Sequence, residues 1–272
     1  MSNITVITDS QQSELVTNGL AKNGELYLKA DGSTDAGSIV VYDSGSWRTF
    51  ANEYAPAGFS NNYSLQFDGT DDSANTTLGS QIFNGDFGLS FWIKPTRAGS
   101  NTILVHLGSS SSYSDGFRLY QQSSGFTLWN GLGGYNNVFG GTIGSVTLNA
   151  WQNIIVTRSG SSMTFYINGS SVGTGTNSSA YTNTALTIAY NQYTRYQGLI
   201  DEVSLFNSAL SSSDATAIYN SGVPGDLSSL SPAAWWKMGD SDGGSGSTIS
   251  DEVASADLTL VNGPTFSTDV PS

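Results

Sequence analysis

The segment DFGLSFWIKPT, residues 86–96, puts Phe87, Leu89, Phe91 and Ile93 on one parity and Ser90, Trp92 and Lys94 on the other. A helix would scatter that apolar set around its axis, whereas an extended strand gathers it on one face. The segment is therefore a strand with one side buried. Comparable runs follow at ILVHLG (103–108), GFRLYQQ (116–122), FTLWNG (126–131), WQNIIVTRS (151–159), ALTIAYN (185–191) and GLIDEVSLF (198–206). In SMTFYINGSSVGTG, Met163, Phe165 and Ile167 share a parity, and Asn168-Gly169 suits the positive φ angles of a hairpin turn. Strands this short and this regularly spaced predict an all-β, antiparallel β-sandwich.

The chain contains 32 Gly, 13 Tyr, 12 Phe and 6 Trp, with 11% charged residues, as expected of short strands joined by tight polar turns. Its formal charge of −13 leaves no basic surface to neutralise phosphates, which excludes nucleic acid and anionic membranes as expected partners. It has no cysteine, so disulfides, thiol nucleophiles and thiolate metal sites are excluded. No run of about 20 apolar residues occurs, so membrane insertion is not expected. MSNITVITDSQQSELV has neither a basic start nor a continuous apolar run, and no Sec-type export is expected from it.

Four regions follow from the pattern. Residues 1–20 are polar and without period, an expected extended arm. Residues 21–55 form a small β module, with runs broken at Asp31-Gly32 and Ser44-Gly45. Residues 56–225 hold the main sandwich and one short helix over 212–220, capped by Ser211 with Asp214 three residues on and closed by Gly222. Residues 226–272 carry two strand-like pieces, PAAWWKMGD and DLTLVNGPTF, around a Gly/Ser-rich connector.

Taken in order, YSLQFDGTDD, FGLSFWIKP, AWQNIIVTRSGSSMTFYINGSSVG and GLIDEVSLFNSALSSSDATAIYNSG resemble the laminin-G-like, concanavalin-A-like (pentraxin-type) jelly-roll domain. The tail resembles the segment that precedes the FDG strand in that family, but here it comes last. Two arrangements fit it: the tail completes its own sandwich, or it docks as a strand donor on a neighbouring copy. The module GELYLKADGSTDAGSIVVYDSGSWRTFANE resembles a small repeat of phage fibre and virion proteins ending in YD-x-G-x-W. That resemblance implies a tailed-phage virion protein, a capsid decoration or fibre component at the virion surface. Its implied partners are capsid or other virion proteins, engaged through the arm, with homo-oligomerisation by analogy to fibres.

Acidic residues suggest a metal site. In GLIDEVSLF, Leu199, Asp201, Val203 and Leu205 share a parity, so a carboxylate begins a face expected to turn inward, and an unpaired buried charge is costly. A hard cation is one partner for it. The family resemblance implies the same, a structural calcium between the FDG-x-DD turn and the final strand. The candidate ligands are Asp68, Asp71, Asp72 and Asp201, against the alternative that these aspartates cap turns and accept backbone hydrogen bonds. Glu202 is expected to point the other way, into solvent. Asp240, Asp242 and Asp251 surround the connector, which is read as a linker rather than a second site.

A glycan site would offer aromatic faces in polar loops, and the candidates are Tyr113, Trp129, Tyr135, Tyr190, Tyr193 and Tyr196, each of which could equally serve sheet packing. Catalysis is not expected. The five Glu do not form the E-x-D-x-E pattern of related glucanases, and His106, the one histidine, reads as an ordinary strand residue. The expected function is a non-catalytic virion structural protein displaying a lectin-like, calcium-binding domain that engages host surface glycans. A secreted, extracellular bacterial lectin or adhesin is the alternative, and a glycoside hydrolase a disfavoured third.

Overall fold

The computed structural model describes residues 59–108, 115–132, 136–190 and 194–272, and before them four strands. The chain forms two units, Met1–Phe59 and Ser60–Ser272.

In the first unit β1 (Thr5–Ile7), β2 (Leu26–Lys29), β3 (Ile39–Asp43) and β4 (Ser46–Thr49) make one sheet in that order. β1 runs parallel to β2, so part of the expected arm is a sheet strand. Tyr42 pairs with Trp47 and Asp43 with Ser46, which makes the YD-x-G-x-W motif a hairpin.

The second unit is a sandwich of two antiparallel sheets, the fold expected from the alternation. The front sheet runs, in spatial order, β11 (Asn136–Asn137), β10 (Phe126–Asn130), β9 (Phe117–Gln121), β8 (Thr102–Leu107), β15 (Ala185–Ile188), β6 (Ser73–Thr77), β19 (Leu258–Val261) and β18 (Thr248–Ile249). The back sheet runs β14 (Ser170–Thr176), β13 (Ser162–Ile167), β12 (Gln152–Ser159), β7 (Phe87–Pro95), β16 (Gln197–Phe206), β5 (Ser64–Asp68) and β20 (Thr265–Ser267). β17 (Ala234–Trp236) also pairs with β16.

The inner faces meet in one core. Leu89, Phe91 and Ile93 of β7, Val105 and Leu107 of β8, and Phe117 and Leu119 of β9 are all buried in it. Phe83 meets the rings of Phe87 and Phe117 edge-on at 5.0 and 5.1 Å, a favourable aromatic geometry. The predicted hairpin joins β13 to β14, with Asn168 at φ 50° and Gly169 at φ 73°. The helix α1 (Ser212–Tyr219) has the expected capping box between Ser211 and Asp214, but it ends one residue early and is closed by Asn220, in the left-handed region at φ 43°, rather than by Gly222. Tyr219 stacks on Trp92, so α1 covers the outer face of the back sheet.

The tail packs on its own sandwich: β17 and β20 join the back sheet, β18 and β19 the front. The acidic residues around its connector have structural partners. Asp251 accepts the backbone N–H groups of Trp235, Val253 and Ala256, and Asp242 those of Ser250. The stretch read as a linker is thus a folded connection.

Candidate functional site

The outer face of the front sheet carries one continuous cross-strand row. Asn137, Trp129, Arg118, His106, Thr187, Asn75, Thr259 and Thr248 stand opposite one another in register across all eight strands. The adjacent row, with Val105, Leu119, Leu128 and Ile188, lies in the core, so strand alternation turns the polar row outward. Its composition changes along its length. His106 and Arg118 are buried at 1% and 3% exposure, whereas Thr259 and Thr248 are exposed. Asn75 and Thr187 line an open groove of about 490 Å³, with Thr259, Asp257 and Gly108 along its walls. The groove offers hydroxyls and amides of both donor and acceptor character.

Among the described residues of this face, Asn75 Oδ1 and both ring nitrogens of His106 are out of water and make no hydrogen bond. Burial and the nearby Arg118 charge pull the His106 pKa down to about 4, so the ring is neutral at pH 7. Tyr190 covers the ring at 4.6 Å between centroids. Of the aromatic candidates, Trp129 and Tyr190 therefore come together on one face and are partly exposed. Tyr196 does not: it is 2% exposed, packs edge-on against Phe67, and donates its hydroxyl to the Leu199 carbonyl at 2.8 Å. It is a core residue, entering the core just before β16 begins at Gln197. Tyr113, Tyr135 and Tyr193 lie outside the described residues.

The four expected metal ligands divide into two places. Asp68, Asp71 and Asp72 form a turn cluster whose ligand atoms lie within 4.8 Å of one another. Two of its carboxylates support the turn, since Asp68 Oδ1 accepts from Thr70 N at 2.6 Å and Asp72 Oδ2 from Asp68 N at 2.9 Å. The Thr70 N–H holds the Asp68 pKa down, while burial raises that of Asp72. Asp201 lies elsewhere. Asp68 pairs with Gln197, four residues before Asp201 along β16, or about 13 Å at the usual strand rise. A single ion with calcium–oxygen distances of about 2.3–2.6 Å cannot bridge them, so the four-residue set does not fit one calcium.

The inward parity assigned to Asp201 fails for a specific reason. Asp201 pairs with Trp92 and Ser204 with Ser90, leaving Glu202 and Val203 opposite the single residue Phe91. This β-bulge, with Glu202 at φ 49°, reverses the facing of the strand midway. Ile200 before the bulge and Val203 within it both enter the core, and Asp201 is left beside Trp92 on the outer face. It is nevertheless fully buried. Glu202, expected in solvent, is 2% exposed and accepts Trp235 Nε1 at 2.7 Å. Burial, reinforced by Glu202, holds Asp201 well above the usual carboxylate range. Burial pushes Glu202 up to about 8 against the Trp235 hydrogen bond.

The model of the concanavalin A-like lectin/glucanases superfamily matches residues 68–216, more than half of the chain. The chain belongs to this superfamily. Its fold also resembles a candidate carbohydrate binding protein from Bacteroides ovatus, with a TM-score of 0.61 at 15% identity over 92% of this chain and 71% of that one. A heptameric SAP-like pentraxin from Limulus polyphemus aligns at 16% identity over 58% of this chain and 82% of that one, with a TM-score of 0.46. A search of curated proteins finds no match. Within this lectin-like fold the matched segment spans the front row from Asn75 to Thr187, and the tail strands β18 and β19 extend the row beyond it. Sequence reading missed Arg118, Asn75 and Thr187 as site residues. The available signal was their parity: each alternates with core residues in its strand, but only the register across strands shows that they form one row.

Proposed function

We propose that this superfamily member is a non-catalytic carbohydrate-binding domain that uses the outer face of its front sheet, displayed on a virion surface by its N-terminal segment. The observation that carries the reading is the row Trp129–Arg118–His106–Thr187–Asn75–Thr259, which runs from a partly exposed indole into an open polar groove. Sugars bind such surfaces by laying a ring face on an aromatic side chain while hydroxyls meet amide and hydroxyl partners. The likeness to a candidate carbohydrate binding protein supports the same reading. Its non-catalytic character is supported by the row itself, which contains no Asp or Glu, whereas glycoside hydrolysis ordinarily uses a carboxyl pair. Asp257, at the groove, is committed to the Asp251 N–H at 2.9 Å. The YD-x-G-x-W hairpin supports the virion setting, with capsid or fibre proteins as partners of the first unit.

A glycan array probed with the purified chain, followed by titration calorimetry of the hits, tests this reading. Binding that falls at least tenfold in Asn75→Ala and Thr187→Lys, with no release of reducing sugar, is the expected result. Undiminished binding in both variants would move the site off this face, and reducing-sugar release that grows with enzyme concentration would overturn the non-catalytic reading.

A further inference from the structure

The groove of the front sheet is built from two adjacent rows. One holds Thr259, Asn75 and Thr187. The other lies two positions along the chain in each case and holds Asp257, Thr77 and Ala185, so strand alternation keeps it on the same outer face. Gly108 donates its backbone N–H to the Ala185 carbonyl at 2.9 Å, which sets the two smallest lining residues side by side at one end.

What these residues present to a ligand is rich in acceptors. Asn75 Oδ1 is shielded from solvent and makes no hydrogen bond. Asp257 stands exposed at the groove wall, fixed in place by the Asp251 N–H at 2.9 Å. A second carboxylate lies at the Gly108 end, where a Cβ added to the glycine would come within 2.8 Å of Asp115 Oδ1; its Oδ2 accepts from Asn183 Nδ2 at 3.2 Å. Among the described residues no lysine or arginine lines the groove. Arg118 is 3% exposed, and His106 stands between it and Thr187 in the register. A sugar hydroxyl brings a proton to such acceptors, whereas an ionised acidic group brings only further acceptors and a like charge.

The distribution of charge along the chain acts in the same direction. Residues 119–194, which supply β10 to β15, contain one charged residue, Arg158, and it is 2% exposed. The formal charge of −13 is therefore carried elsewhere, and the tail that forms one wall of the groove brings Asp251, Glu252 and Asp257. We propose that the groove takes an uncharged, hydroxyl-rich glycan and rejects glycans that carry carboxylate or sulfate, with Asp257 as the residue that sets this choice. The inference rests on the carbohydrate reading above and adds the class of sugar to it. Discrimination of this kind comes from a repulsive element placed against the wrong ligand rather than from tighter contacts to the right one.

Matched glycan pairs presented to the full chain test it: sialylated glycans with their desialylated counterparts, galacturonate oligosaccharides with their methyl esters, and sulfated glycans with their unsulfated counterparts. In each pair that binds, titration calorimetry at low salt should favour the uncharged member by about tenfold or more, and the preference should shrink as added salt screens the repulsion. In Asp257→Asn the ratio should fall by at least about threefold, since one nearby charge is gone. Because the readout is a ratio, a general change in affinity cancels. Asp226→Asn removes the same charge outside the groove lining and should leave the ratio as it is. Equal or tighter binding of the charged members overturns the proposal, as does a ratio unmoved in Asp257→Asn or lowered as much in Asp226→Asn. Absence of binding to every member overturns the carbohydrate reading itself, which distinguishes that failure from a failure of the charge selection.

Discussion

Arg158 lies over the ring of Phe87, its guanidinium carbon 5.0 Å from the ring centroid. From there it donates to the carbonyls of Phe83 at 3.0 Å, Gly85 and Ser179, binding the loop before β7 to the segment after β14. Burial lowers its pKa, and backbone carbonyls supply most of its compensation. Arg158→Met would keep much of the apolar stem while leaving these carbonyls unpaired. The expected loss is about 3 kcal/mol or more, read as a lower urea midpoint with an unchanged slope.

The tail should be necessary for a folded sandwich. Asp251 organises it by accepting three backbone N–H groups, including that of Trp235 at 3.0 Å. Asp251→Ala should cost about 2–4 kcal/mol in chemical denaturation. Removing residues 226–272 would uncover the β6 edge that β19 occupies and the β5 edge that β20 occupies. The expected product is an aggregating chain, visible by size-exclusion chromatography, since bare edges template intermolecular pairing.

His106 should impose an acid limit on stability. Its folded pKa of about 4 lies below the ordinary imidazole value of 6.5, so on acidification the unfolded chain takes up the proton first. Its contribution is complete above pH 6.5, declines as pH falls toward 4, and is flat below that. The total is about 3 kcal/mol for a shift of this size. Denaturation curves between pH 4 and 7 should show this slope, and His106→Gln should remove it while leaving the contribution of the carboxylates.

Two aromatic variants should separate binding from folding. Tyr196→Phe removes a buried hydroxyl bonded to Leu199 and should cost about 1 kcal/mol while leaving carbohydrate affinity intact. Trp129→Ala, on the front row, should weaken carbohydrate binding with a smaller effect on the thermal midpoint. Equal loss of affinity in both would show that the measured binding follows overall stability.

The class of fold was legible in the period-two segments. Phe87 to Ile93, Met163 to Ile167 and the Asn168-Gly169 turn need only local sterics and burial to declare strands and a hairpin, and all appear as read. The helix start was equally local, because Ser211 and Asp214 bond to one another's backbone within four residues.

The facing of Asp201 and Glu202 was not legible, because a bulge is a mismatch between β16 and β7, and neither strand encodes it alone. The same limit applies to the front row, whose eight members come from eight strands spread between Asn75 and Thr259. Alternation along one strand tells which residues share a face. Register between strands, set by long-range pairing and by where the bulge falls, decides which faces meet, and so it alone could part Asp201 from Asp68 and bring it to Asn61.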